Sequence, residues 1–479
     1  MAEHLHLLCS APESSLFNFP PTGGPAPIAP FNVPASIMRP FNIPSHIFTS
    51  ALDAKVPLTI AALYAITIKS LNAYNKSHGK KPWAISKTRP FVVFVILHNI
   101  FLAVYSAWTF WGMLGGMRRS IQSPMGPQGI VGTVDSFCRL HGPPGAGNSV
   151  YYNETSDSFV SASHNAPLVN GLPSGTQMGR IWTEGLAYYG WIFYLSKFYE
   201  VLDTFIILAK GKLSSTLQTY HHAGAMMCMW AGMRYMSAPI WMFVLVNSFI
   251  HALMYFYYTL TAFNIRVPTP IKRTLTTMQI TQFLVGATYA MAHSFVSYTI
   301  PVTTTHVTPA SADATTAPSD PSIPTVAASA VESLKKFIWG AAEAAAAPGA
   351  EPVVSQAAKV EGIIATETQY ITQPCITTTG ETFAIWLNVL YLAPLTYLFV
   401  SFFIASYVKR SNAAGKVYRK GAAPDVNANV ALAEKAGWDA AKGIEKEIYN
   451  GENMVNGSSD ETSRDPTPTK ANGKSRRKA

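Results

Sequence analysis

Charge is scarce in this chain. Only 13% of its 479 residues are Asp, Glu, Lys or Arg, whereas 48% are hydrophobic and 12% aromatic. A soluble domain carries nearer a quarter charged residues, so the shortage sets that class aside and points to a chain that crosses a membrane several times. No leader is apparent either. "MAEHLHLLCS" has no basic start followed by an apolar core, and no cleavable signal peptide is expected. No internal repeat of 20–50 residues is apparent, which argues against an inverted-repeat transporter. The net charge of +10 could suggest nucleic acid, but 14 of the 36 Lys and Arg lie from Lys409 onward. The aromatic-plus-basic modules of nucleic-acid readers are absent too, so that partner is excluded.

What is present is a set of long apolar runs. Each membrane crossing needs roughly 20 apolar residues, and seven segments qualify: 56–75, 90–113, 187–209, 213–236, 240–263, 274–298 and 382–408. The expected fold is therefore an all-α polytopic membrane protein, a bundle of seven transmembrane helices enclosing a substrate tunnel. Basic residues cluster in alternate loops: Lys76, Lys80, Lys81, Lys87 and Arg89 in the first, Lys210 and Lys212 in the third, Arg266, Lys272 and Arg273 in the fifth. Positively charged loops stay in the cytosol, which puts the N-terminus in the lumen and the tail in the cytosol. Three parts follow. Residues 1–50 are a Pro-rich luminal arm, 51–408 the membrane domain with a low-complexity luminal insert at 302–373, and 409–479 a polar cytosolic tail expected to be largely disordered.

Asn153 opens an Asn-Glu-Thr glycosylation sequon on the side assigned to the lumen. Cys138 and Cys375 are the cysteines of the two large outer loops and share that oxidising side. A disulfide between them is open, because sequence does not supply its geometry.

Polar residues within the spans fall on single helix faces. Lys197, Glu200, Asp203 and Thr204 recur at i, i+3, i+6 and i+7. An Asp or Lys at a span centre costs about 2.5–3.5 kcal/mol, so these groups must pair with one another or face a polar cavity. Gln218, His221 and His222 share a face of the next span. Asn247, His251, Met254, Tyr255 and Tyr258 share one in the span after it, and Thr276, Gln279 and Gln282 one in the span after that. A single stripe more often serves interhelical hydrogen bonding than chemistry. Four on consecutive spans read as the lining of one chamber.

The same blocks carry a family resemblance. "KFYEVLDT", "QTYHH", "HALMYFYY" and "TTMQITQ" resemble, in order, the boxes KxxExxDT, [HQ]xxHH, HxxMYxYY and TxxQxxQ of the ELO family of fatty acid elongases. The resemblance implies a seven-helix enzyme of the endoplasmic reticulum membrane. It would be a very-long-chain 3-oxoacyl-CoA synthase that condenses a long-chain acyl-CoA with malonyl-CoA, releasing carbon dioxide and CoA. Gln218 stands where many members have His, a variant associated with polyunsaturated chains. Expected partners are acyl-CoA, malonyl-CoA and membrane lipid, with the ketoacyl reductase, dehydratase and enoyl reductase of the cycle, and a second copy of the chain, as further candidates. No cofactor and no metal are expected.

The chemistry needs an acyl acceptor, a stabilised enolate and shelter from water. Cys228 lies seven residues beyond His221, about 10 Å deeper at 1.5 Å per residue, a depth that suits packing beside an acyl chain. A neutral, oriented histidine can itself be the nucleophile. The resemblance points to a ping-pong scheme with the acyl group on His221. His222 would support it, while Asn247 and His251 would hold malonyl-CoA and its enolate oxygen. The remaining stripe residues (Gln218, Lys197, Glu200, Asp203, Thr204, Met254, Tyr255, Tyr258, Thr276, Gln279 and Gln282) would contact substrate. Lys210, Lys212, Arg266, Lys272 and Arg273 sit where CoA phosphates would arrive, although membrane topology alone would also place them there. Two rivals stand beside this reading. One is a seven-span receptor or transporter without catalysis. The other is a metal-dependent membrane desaturase or hydroxylase, disfavoured because only His98, His221, His222, His251 and His293 lie in the spans.

Overall fold

The computed structural model of the chain describes residues 5–161, 168–175, 179–308 and 363–404. The chain divides into two compact units, 1–302 with 370–479, and 303–369. Of the second unit the described residues are strand. The first unit is mostly helical: α1 (Ser45–Ala51), α2 (Lys55–Ser77), α3 (Arg89–Ser120) and α4 (Gly129–Cys138) precede a π-helical segment, Trp182–Gly190. That segment continues into α5 (Trp191–Tyr199) and α6 (Val201–Ala209). Then come α7 (Thr216–Arg234), α8 (Ile240–Ala262), α9 (Thr269–Ala292) and α10 (Thr379–Phe403).

Among the described residues four helices are long and apolar enough to cross a membrane: α2, α3, α8 and α10. Each of the seven expected segments is helical over most of its length. The remaining three, however, are the polar-striped α7 and α9 and the 182–209 stretch, which breaks between α5 and α6. There the amide of Asp203 bonds to the carbonyl of Glu200 at 3.1 Å, a tightened i to i+3 turn. The two ends of the helical unit are held by different contacts. At one end Asn75 donates to the carbonyls of Leu208 (2.8 Å) and Lys212 (3.0 Å). Gly211 (φ 76°) closes this latch, since a Cβ there would lie 2.5 Å from the carbonyl oxygen of Lys80.

The opposite end is sealed by aromatic residues from the π-helical segment, α5, α7 and α8, including Trp182, Trp191, Tyr194, Trp230 and Trp241. Their polar tips tie down the N-terminal arm. Trp182 donates to the carbonyl of Ile28 (2.9 Å), Tyr189 to Met38 (2.8 Å), Tyr194 to Ala51 (2.9 Å) and Trp230 to Leu52 (2.8 Å). Burying such tips with a partner makes the large aromatic surface usable in a core.

The expectation of an all-α chain needs qualification. A three-stranded sheet is ordered β1 (Leu7–Cys9), β6 (Val296–Thr308), β7 (Ile363–Pro374), with β1 antiparallel to β6 in the register Leu7 to Tyr298. Hairpins β2 (Val150–Asn153) with β3 (Ser158–Ser161), and β4 (Leu168–Val169) with β5 (Leu172–Pro173), add two small sheets. Accordingly the sixth segment, expected to 298, ends as helix at Ala292. The run "VSYTIPVTTT" is rich in β-branched residues and pairs as strand instead. The middle of the insert, 309–362, and the tail from 405 lie outside the described residues.

Cys138, at the end of α4, and Cys375, just after β7, form a disulfide with Cα atoms 4.9 Å apart. Beside it Arg139 donates to the carbonyls of Pro374 (2.5 Å) and Cys375 (2.7 Å), and buried Arg180 pairs with Asp135 at 2.6 Å. Asn153 ends β2, and its side-chain oxygen accepts from the amide of Thr155 at 2.9 Å.

A candidate active site inside the helical unit

A cavity of about 140 Å³ opens between α3, the α5–α6 break, α7, α8, α9 and α10. The four polar stripes converge on it. Glu200 and Asp203 line it from the break, Gln218, His221 and His222 from α7, and Asn247, His251, Met254, Tyr255 and Tyr258 from α8. Thr276, Gln279 and Gln282 line it from α9. Ser215 caps α7 by accepting from the amide of Gln218 at 3.0 Å, which fixes where that helix begins and hence the depth of His221.

Each charged group has at least one partner. Lys197 donates to Glu200 Oε1 at 2.8 Å, and both side chains are nearly inaccessible, at 3% and 2% exposure. Lys197 also stands 3.9 Å from the centre of the Phe193 ring and lies outside the cavity lining. Of the two roles its stripe position allows, pairing is the one its contacts serve. Asp203 accepts from Tyr255 (2.6 Å) and bonds His98 Nε2 (2.7 Å), whose other nitrogen is 3.3 Å from the hydroxyl of Tyr199. Thr204 is also outside the lining; it bonds Tyr64 at 2.9 Å and accepts from Gln218 at 3.5 Å.

The amides act as spacers. Gln218 Nε2 lies 2.8 Å from His222 Nε2. An amide nitrogen only donates, so His222 accepts there and carries its own proton on Nδ1. Asn247 takes a 3.4 Å bond from Lys197 and donates to Gln282 at 3.3 Å. Gln279 reaches the sulfur of Met254 at 3.5 Å. Two buried cavity atoms, Glu200 Oε2 and His251 Nδ1, have no hydrogen-bond partner among the described residues. His251 Nδ1 stands 3.6 Å from Glu200 Oε1, too long for a hydrogen bond. Unsatisfied buried polar atoms are rare, and catalytic sites are among the places that retain them.

His221 differs from its neighbour. Its Nδ1 is 3.1 Å from the hydroxyl of Tyr391 on α10, and the same hydroxyl donates to the carbonyl of His221 at 2.9 Å. The two imidazoles lie 5.3 Å apart, centre to centre. Cys228 is buried, with its sulfur 4.0 Å from the carbonyl of Leu387, and does not line the cavity.

None of the five basic residues reaches the cavity. Lys210 and Lys212 are half-buried in the turn between α6 and α7, and Arg266 is exposed beyond the end of α8. Lys272 stands 5.4 Å from the centre of the Tyr257 ring and Arg273 5.8 Å from that of Phe403. Sequence reasoning passed over Asn99, Ser215, Phe283, Phe399 and Phe402 in the lining, and His98, Tyr199 and Tyr391 behind it. Of these, His98 carried a direct signal, being an ionisable group inside a span. Among the described residues no cluster of three or more His, Cys, Asp or Glu could hold a metal ion.

Residues 49–415 match the family described as ELO: GNS1/SUR4. The chain is 39% identical over 102 residues to "Fatty acid elongase sre1" of Dictyostelium discoideum, covering 21% of this chain and 37% of that one. It is 32% identical over 119 residues to "Fatty acid elongase 2" of Trypanosoma brucei brucei (25% and 44%). It is likewise 32% identical over 108 residues to "Long chain fatty acid elongase 2" of Caenorhabditis elegans (22% and 38%). The matched stretches thus span less than half the length of these relatives. No solved structure matches the chain.

Proposed function

The chain belongs to the ELO: GNS1/SUR4 family, and from that premise we propose that it is the condensing enzyme of fatty acid elongation. It joins malonyl-CoA to a long-chain acyl-CoA and releases carbon dioxide, CoA and a 3-oxoacyl-CoA two carbons longer. The observation that carries this reading is the convergence of all four polar stripes on one cavity bearing His221, His222, His251 and Asn247. Three curated relatives named as fatty acid elongases support it.

The reaction runs in two halves. His221 Nε2 attacks the thioester carbon of acyl-CoA, the carbon–sulfur bond breaks, and CoA leaves as the thiolate, which takes a proton from solvent. Malonyl-CoA then loses carbon dioxide. Its enolate oxygen is met by the side chains of His251 and Asn247, an oxyanion-stabilising role. The enolate carbon attacks the acyl carbon, and the carbon–nitrogen bond breaks to return neutral His221. His222, held by Gln218, supports the acceptor. Glu200 Oε2 and His251 Nδ1, without a hydrogen-bond partner among the described residues, keep hydrogen-bonding capacity that a bound substrate would use. The cavity is smaller than the 300 Å³ or more usual for ligand pockets, which suits the reacting ends of the substrates better than a whole acyl chain.

In this reading all seven helical segments cross the endoplasmic reticulum membrane, with the disulfide, Asn153 and the insert in the lumen and the tail in the cytosol. Lys210, Lys212, Arg266, Lys272 and Arg273 form the basic cytosolic rim met by CoA phosphates. Gln218 favours polyunsaturated chains. No cofactor or metal takes part, and the reductases and dehydratase of the cycle receive the product. Purified full-length protein, given a panel of acyl-CoAs with labelled malonyl-CoA, should yield labelled 3-oxoacyl products two carbons longer. Binding of acyl-CoA with no product from any member of the panel would contradict the proposal.

A further inference from the structure

The hydroxyl of Tyr391 meets His221 twice, at the carbonyl (2.9 Å) and at Nδ1 (3.1 Å). A phenol has one proton to give, and a carbonyl oxygen can only accept. The proton therefore goes to the carbonyl of His221, and the oxygen of Tyr391 is left to accept at Nδ1. That arrangement requires Nδ1 to carry the imidazole proton and leaves the lone pair on Nε2. Nε2 is on the ring edge away from the Nδ1–Tyr391 contact, and His221 lines the cavity whereas Tyr391 does not. No hydrogen bond to Nε2 occurs among the described residues.

Tyr391 reaches this position because Gly224 stands beside it, one turn on from His221. A Cβ at 224 would lie 2.1 Å from Cε2 of Tyr391. The ring also stacks on Tyr220 (centres 5.4 Å apart), whose hydroxyl donates to the carbonyl of Tyr391 at 3.2 Å. The side chain is thus fixed from three directions.

We propose that Tyr391 is a positioning residue that sets the tautomer of the acyl acceptor. It holds the proton on Nδ1 of His221, so that the Nε2 lone pair faces the thioester. This rests on the reading of His221 as acceptor. The step balances without a proton leaving the ring. As the C–Nε2 bond forms and the C–S bond breaks, the thioester yields a thiolate and an acylimidazolium whose Nδ1–H stays bonded to the oxygen of Tyr391. Decarboxylative attack by malonyl-CoA then consumes the positive charge and returns the same neutral tautomer. Tautomer control by a hydrogen bond to the far nitrogen is how histidines are commonly made ready for one role.

The test is Tyr391→Phe in the full-length protein, which keeps the ring in its slot beside Gly224 and removes only the hydroxyl. Rapid mixing with labelled acyl-CoA, without malonyl-CoA, measures CoA release and label on the enzyme. Acyl-CoA affinity and the thermal midpoint are measured alongside. The expected result is acylation slowed on the order of tenfold, the scale of one lost hydrogen bond, with affinity and midpoint unchanged. Acylation at the wild-type rate would overturn the proposal. So would losses of affinity and midpoint that match the loss of rate, since Tyr391 would then be packing only. Failure of the wild-type protein to form any acyl-enzyme is a different result: it removes His221 as acceptor, and this proposal with it.

Discussion

At the scale of single residues, every member of the stripe in α5 and α6 has a side-chain partner, and two of them, Glu200 and Asp203, also line the cavity. Glu200 Oε1 accepts from Ser196 (2.9 Å) and Lys197 (2.8 Å). Removing one partner of a buried pair leaves an uncompensated charge, which costs about 3–5 kcal/mol. Lys197→Met should therefore lower stability on that scale, read as a large drop in the unfolding midpoint of detergent-solubilised protein. A midpoint near wild type would mean that the pair contributes little. Helical spacing made this stripe legible, because neighbours at i, i+3, i+4 and i+7 share a face. Which members face inward was not legible. Thr204 turns to Tyr64 on α2, a contact across tertiary structure that no spacing rule encodes, while Lys197 lies over Phe193 one turn back in α5.

At the scale of helices, α7 and α10 form the working pair. The box on α7 announced itself through polar residues at a span's start, whereas α10 reads as apolar throughout and gave no sign that Tyr391 would reach His221. Gly224 was the one local hint, since a glycine inside a helix weakens it and is often there for close approach. Gly224→Ala should push the Tyr391 ring off His221, given the 2.1 Å approach of the added Cβ. Condensation is expected to fall at least about tenfold, by the same lost hydrogen bond. Combined with Tyr391→Phe, the loss should be less than the product of the two single effects, because both act through one contact. Independent, multiplying losses in that double variant would contradict the coupling. The strands were hidden for a different reason. "VSYTIPVTTT" continues an apolar run from α9, and hydropathy alone does not separate a helix from a strand that pairs with distant β1.

At the scale of the whole molecule, the disulfide end and the basic end behave differently toward solution conditions. His141 is buried near the disulfide end, between Phe159 and Trp182, and its Nε2 has no hydrogen-bond partner among the described residues. Burial, with the nearby charge of Arg180, lowers its pKa from 6.5 to about 3. Below pH 6.5 the unfolded chain takes up a proton that the folded chain refuses, so stability should fall as pH drops from about 6.5 toward 3. For one proton the slope is at most about 1.4 kcal/mol per pH unit. Unfolding midpoints across that range should decline less steeply in His141→Phe, and an unchanged slope would remove His141 as the cause. The disulfide links residues 237 apart in sequence. Reduction should slow migration of the unfolded intact chain, and Cys138→Ser should remove that difference. In sealed microsomes Asn153 should carry glycan while the tail is cut from the cytosolic side. A tail cut only after the membrane is opened would reverse the orientation. The alternating basic loops carry an expected orientation, which the microsome experiment tests; the bond itself was not legible, because it depends on how α4 and β7 pack.

In the proposed reaction the paired histidines serve acyl transfer, with His221 as acceptor and Cys228 as packing. The most direct measurement is peptide mass spectrometry after incubating the full-length protein with labelled acyl-CoA and no malonyl-CoA. CoA should be released and the acyl group found on His221, labile to hydroxylamine. His221→Ala should abolish both release and label, Cys228→Ser should abolish neither, and Gln218→His should leave labelling largely intact. An acyl group on Cys228, or no CoA released until malonyl-CoA is added, would contradict the claim and favour direct condensation in a ternary complex.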